Sequence, residues 1–311
     1  VARWDSDELM RAARKRIEQI LAQAADTDSG AIRRAAGVPE TAANKASGAD
    51  SDAAALVART VSNSWWSPGV AVPEMRARTL VLPEDFVDDG DGVQFLRSTD
   101  GMRNVYRPID REFHMRQGIP KEPGHLAIRA EVAYRSSSLF RMPRIPPTVI
   151  SGGPMGRGVV QDFVPSTDFL DDLPYDLLQQ QEMAFLDYFL CYSDGNRNNY
   201  RTALSSKRYN KGDLVGCDRD LCMHEKPDPN FGIRSPFVEK FNGKKFDDEI
   251  LERIHAVNED QVPGIMQNFG PDLPVIGDRA IEGAQSRLLE VQKADGITGE
   301  KWPGIIYKDP K

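Results

Sequence analysis

Three polar residues in the second half of the chain stand at spacings suited to moving a phosphoryl group. Asp194 and Asn199 lie five residues apart in the polar run 193–199. That is close enough for a carboxylate to orient an acceptor hydroxyl while the amide oxygen reaches a metal. Asp218 follows 19 residues later, after the apolar pair Leu214 and Val215 and the closing Gly216 and Cys217. At the end of such a strand a carboxylate would hold Mg²⁺ between nucleotide phosphates. Asp220 is a rival ligand, and Asp218, Arg219 and Asp220 read alone also fit a solvated charge cluster. Asp218 is preferred because it directly follows the strand. Asp194 by itself reads equally as a turn residue at a helix end.

These residues need rigid elements to hold them, and the hydrophobic pattern supplies candidates. Residues 79–82, 93–96 and 105–106 alternate as strands, with a turn at Ser98–Gly101. Residues 125–140 follow a helical period that Pro143, Pro146 and Pro147 end, before a strand at 148–150. A second strand is expected over 158–164. After Pro174 the pattern turns helical, over 175–192, 247–257 and 279–294. At the N-terminus, Asp5 and Glu8 are spaced as a capping box ahead of an amphipathic helix over 6–23. Residues 24–51 are rich in Ala, Gly, Asp, Ser and Thr and read as a linker, followed by a short helix to about Ser62 and a docking pair, Trp65 and Trp66.

Composition narrows the function classes. The chain has 311 residues, with 40 Lys plus Arg against 47 Asp plus Glu, a formal charge of -7. It lacks the basic field that binding to a phosphate backbone requires, so nucleic acid is not an expected partner. No apolar run approaches the roughly 20 residues needed to span a bilayer. The first residues show neither the basic cap nor the apolar run of a secretory signal, and three cysteines without CxxC spacing read as reduced thiols, so a cytoplasmic location is expected. The four histidines have no zinc spacing, and Ser136–Ser138 is not a nucleophile elbow. The run Gly152–Gly158 lacks the Lys-Ser/Thr of a P-loop and reads as a hairpin turn.

Several short segments, in order, resemble the phosphatidylinositol 3- and 4-kinase-like branch of atypical kinases, in particular its small bacterial members. They are Val105-Tyr106-Arg107-Pro108, Glu131-Val132-Ala133-Tyr134, Pro146-Pro147-Thr148-Val149, Gln161-Asp162-Phe163-Val164, the segment from Asp187 to Asn199, Asp218, and Ile233-Arg234-Ser235-Pro236-Phe237. The similarity covers about residues 79–260. It implies an α+β, bilobal, protein-kinase-like fold with a small antiparallel-sheet N-lobe and a mainly helical C-lobe, preceded by a helical arm. The expected domains are arm and linker over 1–66, N-lobe and hinge over 67–164, and C-lobe over 165–311. It also implies ATP and Mg²⁺ as cofactors. Asp194 would be catalytic, Asn199 and Asp218 metal ligands, and Glu131 the ion-pair partner of residue 107. Gln161, Asp162, Phe163 and Val164 would line the adenine pocket.

The expected activity is transfer of phosphate to a hydroxyl, on a protein rather than a lipid, because no basic amphipathic surface is evident to hold the chain at an anionic membrane. The arm is a possible docking element for a partner. Two departures keep other readings open. The family's lysine is Arg107 here, and Gly195-Asn196-Arg197 stands where Asp-Arg-His usually leads to the Asn. A pseudokinase acting as a nucleotide-binding or structural module is one alternative, and an adenylyl transferase on the same fold is another. The phosphate-covering hairpin falls at 98–103 or 89–92, and Glu131 also suits a helical pair with Arg135.

Overall fold

The computed structural model describes residues 73–82, 92–112, 118–170, 174–206, 208–225 and 232–299. The helices expected over 6–23 and 51–62, the two tryptophans at 65 and 66, and most of the 89–92 turn lie outside the described residues.

Five antiparallel strands come first: β1 (Leu80–Val81), β2 (Gln94–Ser98), β3 (Arg103–Pro108), β4 (Thr148–Gly153) and β5 (Gly156–Asp162). Their spatial order is β1-β2-β3-β5-β4. Helix α1 (His125–Leu139) connects β3 to β4 and packs on the sheet. The second half is mainly helical, with α2 (Leu177–Phe189), α3 (Pro236–Phe241), α4 (Asp248–His255), α5 (Val262–Ile265) and α6 (Asp278–Ala294). It also carries a small sheet, β6 (Ser166–Asp168), β7 (Tyr200–Ala203) and β8 (Leu214–Gly216), in that order. This is a mixed α+β chain, in which an antiparallel sheet with one helix precedes a mainly helical half. No helix among the described residues is long and apolar enough to cross a membrane.

The two-residue period of β3 and β5 decides what faces what. In β3, Asn104, Tyr106 and Pro108 are buried on one face, which leaves Arg103, Val105 and Arg107 on the other. In β5, Val160 and Asp162 are buried while Val159 and Gln161 point the opposite way. The register sets Arg107 opposite Val159 and Val105 opposite Gln161, so one sheet face collects these four side chains. The glycine-rich run at 152–158 is the β4–β5 hairpin, and its glycines make room for an aromatic ring. A Cβ on Gly153 would lie 2.4 Å from the Tyr106 ring, and one on Gly158 2.5 Å from it. Tyr106 in turn donates to the Gly156 carbonyl at 2.8 Å.

Helix starts follow their sequence signals. Asp176 caps α2 by accepting from the Leu178 N–H, and Asp247 caps α4 from the Glu249 N–H. α1 begins at Gly124 without a capping side chain of its own. Glu112, 12 residues upstream, accepts instead from the N–H groups of Gly124, Leu126 and Ala127. The helix expected over 175–192 stops at Phe189, and Cys191 adopts a left-handed φ of 52° that turns the chain into the polar loop. β6, β7, α3 and α5 carry no long periodic run, because each has six residues or fewer, and the sequence reading passed over them.

The main core forms around α2. Phe140 meets Phe185 and Phe189 edge-on, with ring centroids 4.7 and 4.9 Å apart, and all three are fully buried. Truncating a buried Phe leaves a cavity that typically costs about 3–5 kcal/mol. Phe185→Ala is therefore expected to lower the unfolding free energy by about that amount in urea denaturation, whereas a change below about 1 kcal/mol would contradict this packing.

Candidate active site

Arg107, Gln161, Asp162, Phe163, Val164, Asn199 and Asp218, together with Asp220, line a single cavity of about 430 Å³. The sheet contributes Val105, Arg107, Val159 and Gln161, and α1 adds Leu126, Ala127 and Ala130. The β5 end supplies residues 161–164, and the loops around β7 and β8 supply Asn199, Asp218 and Asp220. Most of the exposed lining is apolar, and Arg107, Asp218 and Asp220 form a charged cluster within it, which suits a flat organic ring carrying a charged tail.

The 161–164 segment divides its work. Gln161 lies on the cavity face, and its side-chain N–H bonds Thr148 at 2.8 Å. Asp162 points to the opposite face, where its carboxylate is ion-paired with Arg78 and with Arg208 (2.9 Å). It therefore fixes this segment rather than presenting a charge to the cavity. Phe163 is covered by Arg103 at 4.0 Å and met edge-on by the exposed Phe95. The Val164 N–H has no backbone partner among the described residues and remains available as a donor.

The loop after α2 is held from beneath by a buried ion pair. Arg219, 1% exposed, lies 3.3 Å from Asp187, which is fully buried. The Asp187 carboxylate also accepts from Tyr200 (2.6 Å) and from Ser235 (2.7 Å). Burial pushes the Asp187 carboxyl above its ordinary pKa, and Arg219 and these two hydroxyls pull it back. The Arg219 guanidinium is stacked between the rings of Tyr192 and Tyr200, at 4.1 and 4.5 Å, and donates to the carbonyls of Asn199 and Cys217. The sequence places Asp187, Asn199 and Ser235 in motif segments but does not pair them with Arg219. The signal was present in one place: Arg219 lies between two acids in a chain segment that alternates.

That alternation matters because Arg219 points inward while Asp218 and Asp220 point to the cavity. Asp218 has a left-handed φ of 51°, a conformation Asp tolerates better than most residues. Arg107 bridges the two acids, donating to Asp218 at 2.9 Å and to Asp220 in a shorter contact. Burial disfavours the Arg107 cation, but the two carboxylates outweigh it and its pKa is raised. Asp220 is pushed upward by burial first and by Asp218 second, against the pull of Arg107. Burial also pushes the Cys217 thiol up to about 11, so it is no thiolate nucleophile at neutral pH.

Asn199 uses its amide N–H groups on the Tyr192 hydroxyl (2.8 Å), the Asp194 carbonyl (2.9 Å) and the Asp194 carboxylate (3.0 Å). Its Oδ1 accepts no hydrogen bond among the described residues. Asp218 and Asp220 each give one oxygen to Arg107 and keep a second. Three hard oxygen donors in one cavity are the ligand type that Mg²⁺ takes, so the residues fit that ion. Asp194 does not line the cavity; it stands one hydrogen bond behind it, on Asn199.

One expectation needs correction. Glu131 does not pair with Arg107. It is fully buried, and its carboxylate accepts from Arg135 (2.6 Å), Arg76 (3.4 Å) and the Ile150 N–H (2.7 Å), which ties α1 to β4. The helical neighbour Arg135 and a free strand N–H reach it first. Position 195 has room only for glycine, because it lies against the backbone of Arg234. A Cβ there would be 1.9 Å from the Arg234 carbonyl oxygen. The loop turns instead through Asn196, whose side chain accepts from the Asn198 N–H and sets Asn199 in a 3-10 turn.

Removing one member of a buried ion pair costs about 3–5 kcal/mol, because the other charge is stranded. Arg219→Leu is expected to lose that much stability in urea unfolding, and Arg219→Leu with Asp187→Asn to lose less than the single change. A double variant weaker than the single would contradict the pairing.

The chain matches no known protein-family model and no curated protein. Among solved structures it is similar to a proinflammatory kinase, CtkA, of Helicobacter pylori, at 10% identity and a TM-score of 0.39, over 71% of this chain and 94% of that one.

Proposed function

We propose that this chain is a Mg-ATP-dependent phosphotransferase of the atypical kinase type, related to the phosphatidylinositol 3- and 4-kinase-like branch, that transfers phosphate to a hydroxyl on a protein. The observation that carries this reading is that Arg107, bonded to Asp218 and Asp220, lines one cavity together with Asn199 and residues 161–164. In this reading the N-lobe ends at Val164 and the nucleotide lies between it and the C-lobe. The base sits between Val105 and Val159 and the α1 residues, and the free Val164 N–H donates to it. Arg107 grips phosphate oxygens through the N–H groups that its acids leave unused.

Asn199 and Asp218 would hold Mg²⁺, which when bound neutralises phosphate charge and fixes the phosphates for in-line transfer. Asp194 stands outside the nucleotide cavity. A hydroxyl arriving there meets a carboxylate oriented by Asn199, and its proton passes to Asp194 as its oxygen bonds the γ-phosphorus and the bond to the bridging oxygen breaks to release ADP. In this reading the residues divide among grip, metal ligation and acceptor orientation.

A second reading is a pseudokinase that binds nucleotide without turnover. The bridging of both acids by Arg107 favours it, because the charge that would recruit a cation is already half compensated.

Intact-protein mass spectrometry after incubation with Mg-ATP, with and without an added acidic or hydroxyl-rich protein acceptor, separates the readings. The phosphotransferase reading predicts a phosphate-sized gain on the chain or acceptor. Asp218→Asn is expected to lose it together with metal-dependent nucleotide binding, and Asp194→Asn to lose it with binding nearly intact. An AMP-sized gain identifies adenylyl transfer. ATP stabilisation without any product identifies the pseudokinase, and normal turnover by both variants overturns the site.

A further inference from the structure

We infer that Asp220 is the positioning partner of Arg107, taking the place expected of Glu131, and that it holds the guanidinium toward the phosphates with only one oxygen of the metal ligand Asp218 engaged. The inference rests on the nucleotide-site reading and assigns Asp220 a task within it.

The geometry separates the two acids. Asp218 has a side chain 42% exposed at the mouth of the cluster, whereas that of Asp220 is 7% exposed. A buried acid bonded to one nitrogen of the fork makes a fixed anchor, and a half-exposed one can exchange its partner for solvent or a metal. Glu131 cannot compete for Arg107, because Arg135, Arg76 and the Ile150 N–H already occupy it. Arg107 is tied to the end of β8 rather than to α1, and its placement does not depend on where that helix stands.

The anchor also explains the guanidinium. Arginine offers five N–H donors in a plane, and two are used here on two separate carboxylates, which leaves three for an anion. An ammonium making the same two contacts would keep one, with no plane to aim it. Without Asp220 the fork is free to turn and take both oxygens of Asp218, its best geometry with a single carboxylate. That would tie up a metal ligand and withdraw donors from the phosphates.

The test has opposite signs for charge and for position. If Asp220 were only a negative charge beside a phosphate site, Asp220→Asn would tighten ATP binding by removing repulsion. The positioning role predicts the reverse, a loss of about tenfold in Mg-ATP affinity by titration calorimetry, of the size expected for a misplaced charge-assisted contact. Arg107→Gln should lose a similar factor. The double variant should be no weaker than Arg107→Gln alone, because Asp220 acts only through Arg107. Should Asp220→Asn fail to fold by thermal melting, Asp220→Glu and Arg107→Lys decide. Both keep the charges, and both are expected to weaken Mg-ATP severalfold by moving or reshaping the fork. Tighter or unchanged binding in Asp220→Asn, multiplied losses in the double variant, or wild-type affinity in both charge-keeping variants would overturn the inference. Failure of the wild-type chain to bind ATP at all would instead remove the nucleotide reading on which it stands.

Discussion

A salt bridge sealed inside the protein, Asp187 with Arg219, is the constraint on which the site depends. Neither charge can be left alone at that depth, since desolvation of one ion costs several kcal/mol. The chain surrounds them with further partners, among them the hydroxyls of Tyr200 and Ser235 on the acid, and two aromatic faces and two carbonyls on the guanidinium. Once Arg219 is committed inward, its neighbours on either side have the cavity as their direction. The same packing joins the end of α2, the 193–199 loop, the start of α3 and the end of β8, so the acids and Asn199 share one rigid base.

The opposite wall is built by simpler means. A two-residue period on β3 and β5 sends Arg107, Val105, Val159 and Gln161 to one face and anchors the other face with Tyr106 and Asp162. The ionic contacts of Asp162 with Arg78 and Arg208 hold the strand end from behind. Arg107 then joins the walls, reaching from the sheet to both acids of the facing segment. The charge arrangement is economical: one cation between two carboxylates, with oxygens and N–H groups left over on every member.

Much of this was legible from residue types and spacing. Proline, glycine and periodic apolar runs located the sheet, α1, α2, α4 and α6, and the order of short motifs led to Arg107, Asn199, Asp218 and the 161–164 segment. Partner choice was legible only as alternatives, and for Glu131 the helical pair with Arg135 is the one that forms. Glu131 and Arg107 carry opposite charges at the expected places, but whether they meet depends on what else reaches Glu131, and Arg135 one turn along the helix and the Ile150 N–H reach it first. The buried role of Arg219 was hidden because a charged triplet in sequence looks the same whether its middle residue faces water or core. The room at Gly195 depends on a backbone 39 residues away, and no local pattern reports it.

The most direct test of the account is a crystal structure of this chain with a non-hydrolysable ATP analogue and Mg²⁺. The account predicts the base beside residues 161–164, the metal on Asn199 and Asp218, and Arg107 on phosphate oxygens while still bonded to Asp220. A nucleotide found outside this cavity, or within it with its phosphates turned away from Arg107 and the two acids, would contradict it.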